Sequence, residues 1–358
     1  MDINIKLAQL SIICRALTCL GLSADDVVYL YEYKNFLYIS ATSDSTKITV
    51  ACNTNVEIAK SITVPLNSKD FIAYISYISG FKLGGDVILR FEVDKVVIKY
   101  KSEGINNYIY LPHTSDKLPF VSSFKIKYSI DLSLGSLSND LPKAVVGTSS
   151  SIFTNAFNGI IIFKNDGKTY TGGTDTVKCV IIPTDILLPD KLNKVNLTTS
   201  SVNMFTAISK LTGLPCKLGI TAKKFKAEIG NFTIYGPLPK KTAPIESLIG
   251  ISGVRFVIDR KVFLNAVKGS MQASKKDIYR AIDISLESDY LRLKNKDFEV
   301  SIKGLEPANE YVKSSFNSVS LYSICALMSG DELLMELSDT LAVFRDGTCT
   351  AYLSPINK

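Results

Sequence analysis

The sequence predicts an α+β protein built from three tandem copies of one unit, each with two helices packed on antiparallel sheet. A first observation is a recurring grammar of polar starter, amphipathic helical stretch and glycine stop. It appears as NSKDFIAYISYISG ending at Gly80, TSSVNMFTAISKLTG ending at Gly213 and NSVSLYSICALMSG ending at Gly330. A second is that every copy leads into three short alternating runs, broken at Asp-Lys, Gly-Asn or Asp-Gly and closed at Pro112, Pro239 and Pro355. Alternation with such breaks is the signature of antiparallel hairpins.

Taken in order, each third opens with an earlier helix: LAQLSIICRALTCLG, LSLGSLSNDLPKAVVG and DRKVFLNAVKGSMQAS. The second is interrupted by Gly135 and Pro142, both poor residues inside a helix. Further strands lie between the two helices of each third, as in NFLYISATSDSTKITVAC and GIIIFKNDGKTYTGG. For the later helices, Ser or Thr is expected to cap the first turn and glycine to take the left-handed position after the last. The units span 1–121, 122–250 and 251–358, which suits a chain of 358 residues, too long for one core.

Composition narrows the function. No signal peptide and no apolar run of roughly 18 residues is found, so a cytoplasmic location is expected. The seven cysteines have no CxxC spacing and mostly sit in apolar runs, as small buried hydrophobes in a reducing compartment do. The net charge of +7 lies in the middle third, where 122–250 holds 15 basic and 8 acidic residues while the outer thirds are balanced. A basic surface attracts polyanions, although scattered lysines also simply solvate a face.

Catalysis finds little support. The one histidine, His113, follows Pro112 in a loop, so neither a Ser-His-Asp triad nor a His/Cys zinc cluster is expected. Neither GxxxxGK[ST] nor GxGxxG occurs, and the carboxylate pairs Asp25-Asp26 and Asp331-Glu332 are neighbours in turns. No enzymatic activity, metal or cofactor is implied. The segment GGTDTVKC, residues 172 to 179, has the look of a site edge but lacks partners for chemistry.

Helix faces are more informative. Lys261, Asn265, Lys268, Gln272 and Lys275 recur at helical spacing opposite Phe263, Leu264, Val267 and Met271. Asn203, Thr206 and Lys210 form a similar stripe in the middle unit, and Arg15 and Lys69 are the basic candidates on the first unit's helices. An ordinary wet face explains any one stripe. Several equivalent ones suggest contact with phosphates, without sequence readout. No aromatic residue is expected in these stripes, so base stacking is not indicated.

Taken together, VPLNSKDFIAYISYI with YIYLPHTSDKLPF, FNGIIIFKNDGKTYTGGTDTVKCV, FVIDRKVFLNAVKGSMQASKKDIYRAIDISL and the final AYLSPINK resemble the bacterial replicative sliding clamp, the β subunit of DNA polymerase III. The resemblance covers essentially the whole chain, in a divergent or phage-encoded form, through individually degenerate motifs. It implies three clamp-type domains, a head-to-tail ring dimer around double-stranded DNA, and a cleft between domains two and three for peptides of polymerase and clamp loader.

Carried over by position, the cleft would comprise Phe157, Thr174, Thr176, Val177, Cys179, Pro239, Ile245, Leu353, Pro355 and Ile356, with Asp175 orienting the turn and Gly172-Gly173 supplying a bend. The duplex would face Arg15, Lys69, Lys143, Lys210, Lys261, Lys268 and Lys275. The dimer joint would fall near Asn106, Tyr108, Met271 and Gln272, more polar than the family's. Thr176 stands where the family has glycine, Val177-Lys178 where it has His-Arg, and Ser-Pro-Ile-Asn-Lys where it has Met-Pro-Met-Arg-Leu, which implies an altered peptide preference. The alternatives are an interaction hub for repair or recombination proteins on the same fold, and a non-DNA structural or assembly protein.

Overall fold

Each third of the chain lays down the same ten elements in the same order. A computed structural model describes residues 2–23, 25–33, 36–43, 46–52, 63–80, 85–102, 105–114, 124–148, 159–239, 243–273 and 280–356. In the first third, β1 (Asp2–Lys6) leads into α1 (Leu7–Thr18), then β2 (Val27–Tyr33), β3 (Phe36–Ser43), β4 (Thr46–Cys52) and β5 (Thr63–Asn67). Next come α2 (Ser68–Ser79) and the meander β6 (Asp86–Phe91), β7 (Lys95–Ser102) and β8 (Ile105–Pro112).

The middle third repeats this as β9 (Tyr128–Leu132), α3 (Leu141–Val146), β10 (Gly159–Asn165), β11 (Lys168–Thr174), β12 (Lys178–Thr184) and β13 (Lys194–Leu197). It closes with α4 (Thr199–Thr212), β14 (Cys216–Ile220), β15 (Lys224–Ile229) and β16 (Phe232–Pro237). The last third runs β17 (Val254–Asp259), α5 (Arg260–Ala273), β18 (Ala281–Glu287), β19 (Tyr290–Lys294), β20 (Glu299–Lys303) and β21 (Val312–Asn317). It ends with α6 (Ser318–Cys325), β22 (Glu332–Leu337), β23 (Ala342–Arg345) and β24 (Thr350–Leu353).

The helices start and stop for reasons the sequence only partly discloses. Asparagine, not Ser or Thr, caps α2 and α6: Asn67 accepts from the Asp70 amide at 3.1 Å and Asn317 from that of Ser320 at 3.0 Å. Thr198 and Asp259 do the same for α4 and α5. Of the three stop glycines only Gly213 is left-handed, at φ +69; Gly80 stays right-handed at φ −67 and Gly330 is not at positive φ. The interrupted helix divides into a π-helical turn, Ser136–Asp140, and α3, with Pro142 in the first turn, where its missing N–H is not needed.

The chain packs as two units. Unit 1 comprises Met1–Leu137 and Asn203–Leu238, and unit 2 comprises Ser138–Val202 and Pro239–Lys358. Each holds one eight-stranded and one four-stranded antiparallel sheet. In unit 1 these run β5-β2-β3-β4-β16-β15-β14-β9 and β1-β6-β7-β8. In unit 2 they run β13-β10-β11-β12-β24-β23-β22-β17 and β20-β19-β18-β21. Each eight-stranded sheet therefore fuses half-sheets from two successive thirds, through β4 with β16 and through β12 with β24. Inward-facing strand residues and one stripe of each helix make the cores: Leu7, Leu10, Ile13 and Leu17 of α1 are buried, as are Phe263 and Val267 of α5.

Pairing register relates the two large sheets residue by residue. Val28 lies between Leu66 and Ala41 in unit 1 as Ile160 lies between Leu197 and Gly173 in unit 2. Followed across the joints, Lys47 opposite Tyr235 corresponds to Cys179 opposite Tyr352.

Candidate functional site

The segment GGTDTVKC is the β11–β12 hairpin at the joint of unit 2. Its turn is built by side chains. The Asp175 carboxylate accepts from the backbone amides of Val177 at 3.0 Å and Lys178 at 2.9 Å. Thr174 Oγ1 accepts from the Thr176 amide at 3.0 Å and donates to the Lys178 carbonyl at 3.0 Å. Asp175 thus shapes the turn, as read from sequence. The turn forces Thr176 to φ +77, a region where glycine is at ease and a β-branched residue is strained.

Gly172 and Gly173 do not bend the chain. They sit inside β11, where a side chain would collide: a Cβ on Gly173 would lie 1.9 Å from the Ala144 carbonyl oxygen, and one on Gly172 would lie 2.3 Å from Ile245 Cδ1. The pair lets α3 ride on one face of the strand and Ile245 press on the other. Lys178 Nζ donates to the Val146 carbonyl at 2.6 Å, satisfying an orphan acceptor at the end of α3. Burial lowers the Lys178 pKa and Asp175 partly restores it.

Below the turn, Ile161, Phe163, Cys179, Ile181, Ile245, Val343 and Tyr352 form a buried apolar cluster. Tyr170, Ala243, Leu248, Ile249 and Leu341 pack against it while staying partly exposed. Burial raises the pKa of the Cys179 thiol, so this cysteine is a hydrophobe and not a nucleophile. Beyond β24 the chain is strapped twice, by Ser354 N to the Val177 carbonyl at 2.8 Å and by Ile356 N to the Ser315 carbonyl at 2.7 Å.

The expected cleft residues divide accordingly. Thr174, Cys179 and Ile245 are at most 3% exposed and act as the closed floor, while Leu353, fully buried next to Tyr352 on β24, faces the other side of the sheet. Thr176, Val177, Pro239, Pro355 and Ile356 remain partly or largely exposed around it, Val177 at 48%. Phe157 lies outside the described residues. Sequence reasoning missed Tyr170, Leu248, Ile249 and Leu341; for Leu248 and Ile249 the available signal was the stretch IESLIG, whose first four residues form a 3-10 turn, Ile245–Leu248.

On the helices, Arg15, Lys69, Lys210, Lys261 and Lys268 are exposed, Lys143 is half-buried, and Lys275 lies outside the described residues. Lys261 pairs with Asp331 at 3.3 Å, a solvated contact of small worth. On α2, which carries Lys69, Tyr74 and Tyr77 are exposed. Their spacing of three residues keeps them off the face of Phe71, Ile75 and Ile78.

β8 and β20 are edge strands of the two four-stranded sheets. On β8, Asn106, Tyr108 and Tyr110 are exposed. On the other, β20 flanks a cavity of about 460 Å³ lined by Val262 and Ala266 of α5 and by Val300 and Ile302. Gln272 is exposed and Met271 half-buried. Among the described residues no three His, Cys, Asp or Glu side chains are placed to hold a metal ion, and no helix is long and apolar enough to cross a membrane.

No family model and no curated protein matches the chain in sequence. Solved structures match it in shape. The β subunit of DNA polymerase III from Thermotoga maritima aligns with a TM-score of 0.86 at 13% identity, over 100% of this chain and 99% of that one. The beta sliding clamp of Caulobacter crescentus gives 0.83 at 17%, over the whole of both chains. The corresponding Borrelia burgdorferi subunit, solved with a natural product, gives 0.85 at 13%, over 100% and 99%. The fold of this chain is that of the bacterial beta sliding clamp.

Proposed function

We propose that the protein is a DNA sliding clamp, a processivity factor with domains at 1–121, 122–250 and 251–358, two copies of which close head to tail around duplex DNA. The observation that carries this reading is the rule joining successive thirds. The last strand of one half-sheet, β4 or β12, pairs with the last strand of the next third, β16 or β24. By the same rule β20 calls for β8, and both are edge strands. An open edge offers a row of unpaired backbone groups, and a second copy supplies the matching edge twice, which closes a ring. Tyr108 and Tyr110 of one copy would then lie along β20 of the other, near Met271 and Gln272, with Asn106 on the same edge.

In that ring the helices line the hole, and Arg15, Lys69, Lys143, Lys210, Lys261, Lys268 and Lys275 meet phosphates weakly enough to slide. Encirclement assigns the chain no catalytic step and no cofactor. The apolar cluster of unit 2 receives peptides of polymerase and loader at its Val177 rim, and tethering keeps a polymerase at high local concentration. That the Borrelia burgdorferi and Pseudomonas aeruginosa clamps are solved with bound small molecules fits such a site in this fold.

Sedimentation and small-angle scattering test the ring. The expected particle has twice the 39.3 kDa chain mass and a hollow centre, and Tyr108→Glu reduces it to single chains. A wild-type protein that stays at single-chain mass at every concentration would remove self-closure.

A further inference from the structure

The repeat that relates the thirds also fixes how the edges β8 and β20 must meet. Leu30, Ile39 and Val50 form a row across β2, β3 and β4, and Ile284, Leu293 and Val300 form its counterpart across β18, β19 and β20. Both rows start from the residue three before a capping asparagine, Val64 before Asn67 and Ser314 before Asn317. Likewise Ile3, Leu89, Ile98 and Ile109 match Phe256, Met335, Phe344 and Ala351, rows that start four residues before α1 and α5 begin. Since Tyr352 corresponds to Tyr235, Ile109 takes the place of Ile234, and Asn107 that of Phe232. In unit 1 Phe232 pairs with Val50, so between two copies Asn107 falls opposite Val300.

The cavities agree with this register. One of about 500 Å³ in unit 1 is lined by residues that include Lys6, Gln9, Ile12, Ile13, Val50 and Phe232. The cavity beside β20 is lined by Asp259, Val262, Ala266 and Val300, which stand at the places of Lys6, Gln9, Ile13 and Val50. It lacks the wall that Phe232 and the end of α4 supply in unit 1.

We propose that ring closure brings Asn107 of one copy into that missing wall, against Asn265 of the other, the counterpart of Ile12, and that this amide pair sets the register of the joint. The proposal rests on the ring reading. Tyr108 and Tyr110 then turn to the opposite face, against Glu299 and Asp297 of the other copy.

Three observations support it. The Asn107 Nδ2 is buried and has no hydrogen-bond partner among the described residues, a cost that an incoming acceptor relieves. The side chain lies on the core face of β8, across the ladder from Tyr100, which is 2% exposed. Asn265 is exposed on α5, so its amide is available to a second copy. At the unit 1 joint, which the chain itself holds together, the same two places carry the apolar Phe232 and Ile12. Only the joint that has to form between chains is polar there. A facing asparagine pair penalises every register that leaves one amide unpaired, and it lowers the strength of the joint in return.

Sedimentation equilibrium of the full-length protein tests the pair through a double-mutant cycle. Asn107→Leu and Asn265→Leu should each weaken the dimer about tenfold, because each strands the other amide. The double variant, which restores the apolar pairing of unit 1, should return to within about threefold of wild type. Register is read separately by oxidising a chain that carries Tyr108→Cys and Glu299→Cys. Directly opposed positions suit a disulfide, so linked dimers should form, with wild type as the blank. Tyr110→Cys with Glu299→Cys, slipped by two residues, should link at least about fivefold less.

Single effects that simply add in the double variant would overturn the proposal, as would equal linking by the slipped pair. Both results presuppose a dimer, so they leave the ring reading standing. A wild-type protein that never exceeds single-chain mass removes the ring reading and this inference together.

Discussion

Unit 1 and unit 2 fuse their half-sheets by the same strand pairing, yet the row across the joint is Cys179, Tyr352 and Val343 in unit 2 and Lys47, Tyr235 and Lys226 in unit 1. The difference begins with one position on the third strand of each half-sheet. Ala41 of β3 and Gly173 of β11 hold the same place in the ladder. In unit 2 the missing methyl lets the Ala144 carbonyl of α3 sit directly on the strand. One place along, Gly172 leaves room on the opposite face for Ile245, whereas its counterpart Ser40 spends its hydroxyl on the Ile48 carbonyl at 3.1 Å. A glycine pair thus thins one sheet until a helix carbonyl and Ile245 can press on it from both sides, whereas the Ser-Ala pair of the other is equally buried but keeps its hydroxyl bonded within the sheet.

The largest effect should come from reversing that difference. Gly173→Ala puts a methyl 1.9 Å from a backbone oxygen, so α3 must lift, at a cost of about 3 kcal/mol or more in urea unfolding. Ala41→Gly, the reciprocal change, should cost only about 1 kcal/mol through chain entropy and one lost methyl. Equal costs at the two positions would break the comparison, because the glycine would then have no packing role.

Neither role was legible locally. The helix stretches, the hairpin runs and the threefold recurrence all appear in the sequence, because period and turn chemistry are short-range. The Asp175 turn was legible for the same reason: its bonds stay within four residues. The pairings of β4 with β16 and β12 with β24 join strands far apart in sequence, and nothing in the pattern of either strand names its partner. Ile245 was assigned to a cleft surface but lies in its floor, and Leu353 turns to the other face of the sheet, since both placements depend on those pairings.

A second difference concerns acid. The β23–β24 turn of unit 2 is held by Asp346, whose carboxylate accepts from the amides of Ser329, Thr348 and Cys349 and from the hydroxyls of Ser329 and Thr348. Burial alone would raise its pKa, but these bonds hold it at about 2, below the ordinary 3.8. A depressed folded-state value means the stabilisation is complete above the ordinary value and is lost as pH falls through about 2. The matching β15–β16 turn of unit 1 is made by Gly230 at φ +56, where backbone freedom does the work of the carboxylate. Amide exchange around Ser329, Thr348 and Cys349 should therefore quicken between about pH 4 and 2 while that of Phe232 does not, and Asp346→Asn should cost about 1–2 kcal/mol at neutral pH. Parallel loss of protection at both turns would show general acid unfolding instead.

The smallest expected effect isolates the turn at the candidate site. Asp346 and Asp175 build the same device: one carboxylate oxygen accepts from the amides two and three residues on. The residue after each aspartate is pushed to positive φ, +83 for Gly347 and +77 for Thr176. Glycine meets that demand freely in one turn, and a β-branched threonine meets it under strain in the other. Thr176→Gly should raise unfolding stability by about 1 kcal/mol, and Gly347→Thr should lower it by a similar amount, since each trades the same backbone strain in opposite directions. Strain held beside an exposed Val177 has a second reading, which the same variant decides. If Thr176→Gly stabilises the fold and leaves peptide affinity unchanged, the threonine is a tolerated substitution. If it stabilises the fold and weakens the peptide, the strained turn is what presents Val177 to its ligand.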